Sequence, residues 1–551
     1  MLLLPAKFKK DFLALILLTI IGLIFLRFFF LPTFPSTHDG QNHLARLANL
    51  DLAFRDRHFP FRWATNLNHQ FGYPVFNFNY YLPEFLSLTV SKANLSFETS
   101  LKIMIAAAYI FASLFWYLFL RLYFKPLASF CGGLFSLSAI YPLVIIWVRG
   151  SPGETLALAL FPLILLLIKR LSQKPSRILF FLTTVSLSAF LLAHNITVLF
   201  GLPILFIFSL LNRRSWFITV SPFILSLGLS LFFWLPVVIE KQFTYLKYFD
   251  SSGYLAHFPS FWQLIYSQWG FGYSVPGTND GFSFQLGLFH WLAIVASLAI
   301  FIFLKTTTLI KQTWLFFVLI FLVYLFLTLP ISAFIYRFLP FLNFIQYPWR
   351  LLLFLTLSSI WLAAFVVSQK PKLGLFLSLS AAIYALIIAK PQGGFNWPNH
   401  YYYLFPFTST VGQEAMPIWF DEAKNSQLFD SSDKVVGAAN FNLNLWKTQT
   451  HVYEVTVDKD TTVFEKTAYF PGWELTVDGK PSAIIYDNKD YPGLIGFRLT
   501  AGTHTIQTQF TEHTPARRVG DSLSLISIGL FILSLIFFPK IIIYFADRHL
   551  R

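Results

Sequence analysis

Long apolar runs, separated by short polar breaks, set the rhythm of this chain. The runs cover 12–31, 100–120, 127–147, 154–169, 177–193, 196–211, 216–238, 286–304, 312–330, 350–367, 372–389 and 522–539. A helix needs roughly 20 apolar residues to cross a hydrocarbon core, and most of these runs approach that length. The pattern predicts a polytopic α-helical membrane protein with about twelve transmembrane helices. One further apolar stretch, "YYLPEFLSLTV" at 80–90, is short and contains Pro83 and Glu84. It is expected to lie at the membrane interface as a short or re-entrant helix.

The period changes in residues 391–520. "HVYEVTV", "TVFEKTAYF", "WELTVDGK", "LIGFRL" and "THTIQTQF" alternate polar and apolar positions, and Asp478-Gly479 and Ala501-Gly502 mark turns between them. This predicts a small β-sandwich inserted before the last helix, with Trp473 in its core. The expected organisation is a membrane domain over 1–390, an extracytoplasmic β-domain over 391–520, and a final helix with a tail over 521–551. Segments 32–99 and 239–285 are the other long polar stretches.

Composition agrees with a membrane protein and excludes an ordinary soluble domain. The chain is 56% hydrophobic and 12% charged, where soluble domains carry about a quarter charged residues. A formal net charge of +15 resembles a nucleic-acid footprint, but the positions of the charges give another reading. "KFKK", "RLYFK", "KRLSQKPSR", "NRR", "KTTTLIK", "QKPK" and "ADRHLR" fall on alternate sides of successive runs. All of them lie on the cytoplasmic side of a plasma membrane if both termini are cytoplasmic. No nucleic-acid partner is expected. The first run follows Lys7, Lys9 and Lys10, is longer than a typical signal-peptide core, and has no small-residue cleavage site after it. It is expected to be an uncleaved span. Cys131 is the single cysteine, which rules out a disulfide within the chain and a thiolate metal site.

With that topology the acids, most histidines and the long loops gather on the outer face. "PSTHDGQNHLAR" at 35–46 comes first. If it turns helical at Asp39, then Asp39, Asn42 or His43, and Arg46 share one face. Asp39 is either a helix cap or a general base that takes the proton from an acceptor hydroxyl. His38 and His43 are candidates to orient it, to bind acceptor or to hold a metal. The spacing contains no H-x-x-x-H pair, so no metal is assigned, although a divalent ion stays open. Arg62 and Tyr73, in the aromatic stretch 59–85, are candidate cleft wall or interface belt. Arg149 and Glu154 flank the turn in "WVRGSPGE", and Arg350 starts a run after "QYPW". Either arginine suits a lipid phosphate, since a guanidinium offers two parallel donors; each also suits simple interfacial anchoring. His194 and Asn195 read as a tight turn between spans, with His194 a supporting site residue. "GTNDG" at 277–281 reads as a turn, too poor in acids for a calcium loop.

Together these stretches resemble the GT-C superfamily of polytopic glycosyltransferases that use polyprenyl-phosphate sugars. "HDGQNHLARLANLDLAFRDRHFPFRWATNLNHQFGYPVFNF", "VRGSPGETLALALFPLILL" and "QYPWRLLLF" resemble bacterial membrane proteins described as 6-pyruvoyl-tetrahydropterin synthase-related. "YFPGWELTVDGKP" and "LTAGTHTIQTQF" resemble the C-terminal outer domain of YfhO-type proteins. The pterin label carries no chemistry here, because nothing in the chain spells a histidine zinc site. The resemblance implies a bacterial inner membrane, a polyprenyl-phosphate-linked sugar as donor, a cell-envelope acceptor and catalysis by the first-loop acid, Asp39. Many relatives have two acids close together in that loop; here the neighbour is His38 and the next acid is Asp51. The expected function is transfer of the sugar by inverting displacement, with no cofactor required. A transporter or lipid flippase and a non-enzymatic envelope assembly protein are the alternatives.

Overall fold

The computed structural model describes residues 6–212, 216–248, 252–303, 307–408, 414–429 and 431–548. Arg213, Arg214, Lys305 and the last three residues, which carry part of the basic pattern, lie outside them. The fold is mostly helical. Among the described residues, six helices are long and apolar enough to cross a membrane: Phe97–Leu120, Pro152–Gln173, Thr308–Thr328, Pro348–Gln369, Pro371–Ile388 and Pro515–Phe538. Two bent pairs, Pro126–Ser138 with Ile140–Arg149 and Ile218–Leu229 with Leu231–Phe243, raise the number to eight if each pair is one crossing. Arg177–Leu191, Asn195–Leu211 and Leu288–Phe303 are apolar but shorter. At 1.5 Å per residue they reach only about 22–26 Å, short of a core of about 30 Å. Length and composition together therefore support fewer crossings than the twelve runs suggested. The helix from Pro348 to Gln369 is the centre of the bundle, with Trp361 and its neighbours fully buried. Segment 80–90 forms the helix Leu82–Ser91, only 10 residues long.

The sharpest bend, 61°, falls at Ser230, which has φ −105° and ψ 4°. A break inside an apolar bundle exposes backbone groups that need partners. The final helix supplies one: Ser524 Oγ accepts from Phe232 N at 2.8 Å and donates to Gly228 O at 3.0 Å. Arg62 supplies another, donating from Nη1 to Phe232 O at 2.8 Å.

The C-terminal region holds two antiparallel sheets. In spatial order the first contains Asn440–Trp446, Thr450–Val457, Gly502–Phe510, Trp473–Val477 and Lys480–Ser482; the second contains Val435–Val436, Thr461–Ala468 and Leu494–Leu499. Buried Glu465 links them, accepting from Tyr453 Oη and Thr508 Oγ1, each at 2.9 Å, with His451 Nδ1 at 2.7 Å. Asp478 and Gly479, at φ 52° and 75°, form the two-residue hairpin turn that the sequence indicated. Trp473 is buried and packs edge-on against Trp63 at 5.5 Å.

That contact is one of several between the 59–85 stretch and the C-terminal region. Arg62, expected in a cleft wall, does not line the cavity described below. Its guanidinium is 1% exposed and pairs with Glu512 at 3.1 Å and Asp521 at 3.2 Å. A buried cation needs carboxylate partners, and those on offer lie some 450 residues away in sequence. Arg517 makes a parallel link, pairing with Glu240 at 2.9 Å and donating to Pro471 O at 2.9 Å.

Candidate active site

At one end of the bundle the 35–46 loop turns into the helix Gly40–Arg55. Asp39 stands at the N-cap position, but its side chain makes no capping bond. Thr37 does that work, its Oγ1 accepting from Gly40 N at 3.1 Å. Capping of this helix therefore falls to Thr37 rather than to Asp39. The loop is pinned from behind by the turn after the bent pair: His38 N donates to Val148 O and Asp39 N to Arg149 O, both at 2.9 Å. Gly150 permits this approach, having φ 68° and no room for a Cβ against Thr37.

Asp39 lines a cavity of about 1170 Å³ together with His38, Asn42, His43, Arg46, Tyr73, Arg149, His194 and Arg350. Of the residues singled out in the sequence, Arg62 and Glu154 are not among its lining. His38 has Nε2 3.1 Å from Phe271 O and stacks on Tyr273 at 4.7 Å; burial lowers its pKa, favouring the neutral ring. His43 has Nδ1 2.5 Å from buried Glu84 Oε1, which fixes its ring. His194 caps the helix Asn195–Leu211 through Nδ1, which accepts from Thr197 N at 3.2 Å. Its pKa falls to about 3 through burial.

The arginines divide into two kinds. Arg149 lies in the wall, but its Nη1 is bound to Glu154 at 2.5 and 2.6 Å, so its charge is already balanced. Glu154, which is not in the lining, holds Arg149 there and also lies 3.6 Å from His194 Nε2. Arg46 and Arg350 differ. Among the described residues neither forms an ion pair with a carboxylate, and the buried Nε of each has no hydrogen-bond partner. With the Asn79 amide oriented to offer its oxygen, Arg46 donates to it from both Nη atoms at 3.2 Å. Arg350 Nη1 donates to Ile345 O and Gln346 Oε1, both at 3.0 Å. Two largely buried guanidiniums with no carboxylate in ion-pair contact are costly unless an anion joins them.

Sequence reasoning missed the second acid of the cavity. Asp51 is not it: Arg55 at 2.5 Å and Lys92 at 2.8 Å bind it elsewhere. The cavity's other carboxylate is Glu414, whose pKa burial raises against the opposing pull of Arg350 and Arg46. Tyr73, expected in the wall, holds that segment, its hydroxyl accepting from Ala415 N at 3.1 Å. No periodicity or motif around Glu414 signalled this role. Among the described residues, no three His, Cys, Asp or Glu side chains are grouped as a metal site requires.

Away from this polar head the wall is apolar. Leu199 and Phe206 come from the helix Asn195–Leu211, Ile224 and Leu227 from one side of the 61° bend, and Trp234 and Val238 from the other. Ile224 is 67% exposed and Val238 59% exposed. The apolar part of the cavity is therefore lined by residues that are themselves largely exposed. Its volume exceeds the roughly 300–1,000 Å³ of common small-ligand sites.

No family model matches the chain, and no curated protein sequence is similar to it.

Proposed function

We propose that the protein is a membrane glycosyltransferase of GT-C type, which transfers a sugar from a polyprenyl-phosphate donor to a hydroxyl of a cell-envelope acceptor. The observation that carries this reading is one cavity with three parts. It has an apolar flank, two arginines that form no ion pair with a carboxylate among the described residues, and a carboxylate at a helix N-terminus. A lipid tail fits the flank, its phosphate fits Arg46 and Arg350, and Asp39 stands where the acceptor meets the sugar.

In the proposed reaction Asp39 takes the proton as the acceptor oxygen bonds to the anomeric carbon. The bond from that carbon to the phosphate oxygen breaks, and its electron pair leaves on the lipid phosphate. Arg46 and Arg350 stabilise the charge that develops there. Attack opposite the leaving group inverts the anomeric centre. Asp39 then returns its proton to solvent. In this reading the short helices complete twelve crossings, both termini are cytoplasmic, and the two sheets form an outer sandwich that holds the acceptor.

The test is a transfer assay in membranes containing the protein, with radiolabelled polyprenyl-phosphate sugars, with and without chelator. Asp39→Asn is expected to lower transfer by about 10²–10⁴-fold, the usual worth of a positioned general base. Full transfer by that variant removes Asp39 from the role. A second reading, lipid translocation, draws support from the bend at Ser230, since broken helices beside lipid-facing cavities also suit transporters. Movement of a labelled lipid phosphate across the bilayer without sugar transfer would favour it.

A further inference from the structure

Gln346 follows the short turn Pro340–Ile345 with φ 61° and ψ −42°. Side chains are rarely held in this region of backbone space, and such outliers persist where surrounding contacts impose them. Glycine would take the same conformation without penalty, so the glutamine side chain needs a reason. Both ends of its amide are engaged. Oε1 accepts from Arg350 Nη1 at 3.0 Å, and Nε2 donates to Glu414 Oε1 at 3.4 Å. A guanidinium only donates, so the amide must present its oxygen to Arg350, and its Nε2 is left to donate to the Glu414 oxygen. Glu414 is held in turn through the bond between Ala415 N and Tyr73 Oη. The relay thus runs from the segment before the β-region into the polar head of the cavity.

We propose that Gln346 and Glu414 are positioning residues for Arg350, and that they hold its guanidinium toward the phosphate of a lipid seated in the cavity. This deepens the reading above and rests on it. The lipid is favoured over free phosphate because the apolar flank belongs to the same cavity as Arg350. Neither residue acts on the sugar; their effect is on donor affinity.

The experiment uses the full chain in phosphatidylethanolamine nanodiscs, titrated with radiolabelled polyprenyl monophosphate and, separately, with inorganic phosphate. Thermal melting is recorded on the same samples. Gln346→Gly and Glu414→Ala are each expected to weaken lipid binding about tenfold, the worth of a charge-assisted hydrogen bond. Gln346→Gly is expected to melt no lower than wild type, because glycine relieves the backbone. Glu414→Gln is expected to recover most of the affinity lost in Glu414→Ala, since its amide oxygen still accepts from Gln346 Nε2. The proposal is overturned if Gln346→Gly binds like wild type or loses stability in step with affinity. It also fails if Glu414→Gln is as weak as Glu414→Ala. Inorganic phosphate binding as tightly as the lipid would overturn the lipid assignment. No lipid binding by wild type would overturn this proposal together with the reading beneath it.

Discussion

Single residues carry their roles here through what their neighbours leave them to do. Thr37 rather than Asp39 caps the helix, and Asp39 lines the cavity. Arg149 meets the cavity already paired with Glu154. Glu414 differs from both, since burial holds its proton above the usual carboxyl range while Asp39, Arg46 and Arg350 face it. A raised pKa in the folded state means that stability is full below the unfolded value, about 4.3, and falls as pH rises through the folded one. Glu414→Gln has no proton to lose. Thermal melts of wild type and variant are therefore expected to separate in favour of the variant at pH 7 and to converge below about pH 4. A constant gap across that range would mean that Glu414 ionises in the folded protein as easily as in the unfolded chain.

At the scale of elements, the cavity exists because a helix is broken and the break is mended from outside. Ser524 closes the gap at Ser230 by bonding Phe232 N and Gly228 O. Ser524→Ala leaves a buried N–H and a carbonyl without that partner, and is expected to cost about 1–3 kcal/mol. Chemical unfolding in detergent would measure it; a change near zero would show that the bend does not depend on the final helix. This element-level device was not legible in the sequence. The apolar run 216–238 reads as one span; Gly228 and Pro236 within it can weaken a helix but do not place a bend of 61° at Ser230. The hairpin at Asp478-Gly479 was legible, because its geometry depends on two adjacent residues. For the helix from Gly40 the sequence offered only a condition: if the stretch is helical, Asp39, His43 and Arg46 share a face, and the structure meets it. Glu414 was not legible, because its place in the cavity comes from contacts with Tyr73 and Gln346, far away in the chain.

Across the whole molecule, two buried cations fasten the first loop, the bent helix and the last helix to one another. Arg62 meets Glu512 and Asp521, and Arg517 meets Glu240, which also accepts from Asn77 Nδ2 at 2.8 Å. Partners this distant in sequence explain why Arg62 reads as a cleft residue until the fold is seen. Removing the acid from a buried pair leaves an uncompensated charge, so Glu240→Ala is expected to destabilise by about 3–5 kcal/mol. Unchanged thermal stability would show that the link is not structural. These fastenings connect the cavity's frame to the β-region, where the acceptor is proposed to bind.

The central claim is that one cavity binds a lipid phosphate through Arg46 and Arg350 and transfers its sugar through Asp39. The most direct measurement follows donor binding and sugar transfer in the same nanodisc sample, for wild type, Asp39→Asn and the paired change Arg46→Ala with Arg350→Ala. Wild type is predicted to bind and transfer, Asp39→Asn to bind without transfer, and the paired variant to do neither. Transfer by Asp39→Asn at the wild-type rate, or undiminished donor binding by the paired variant, would contradict it.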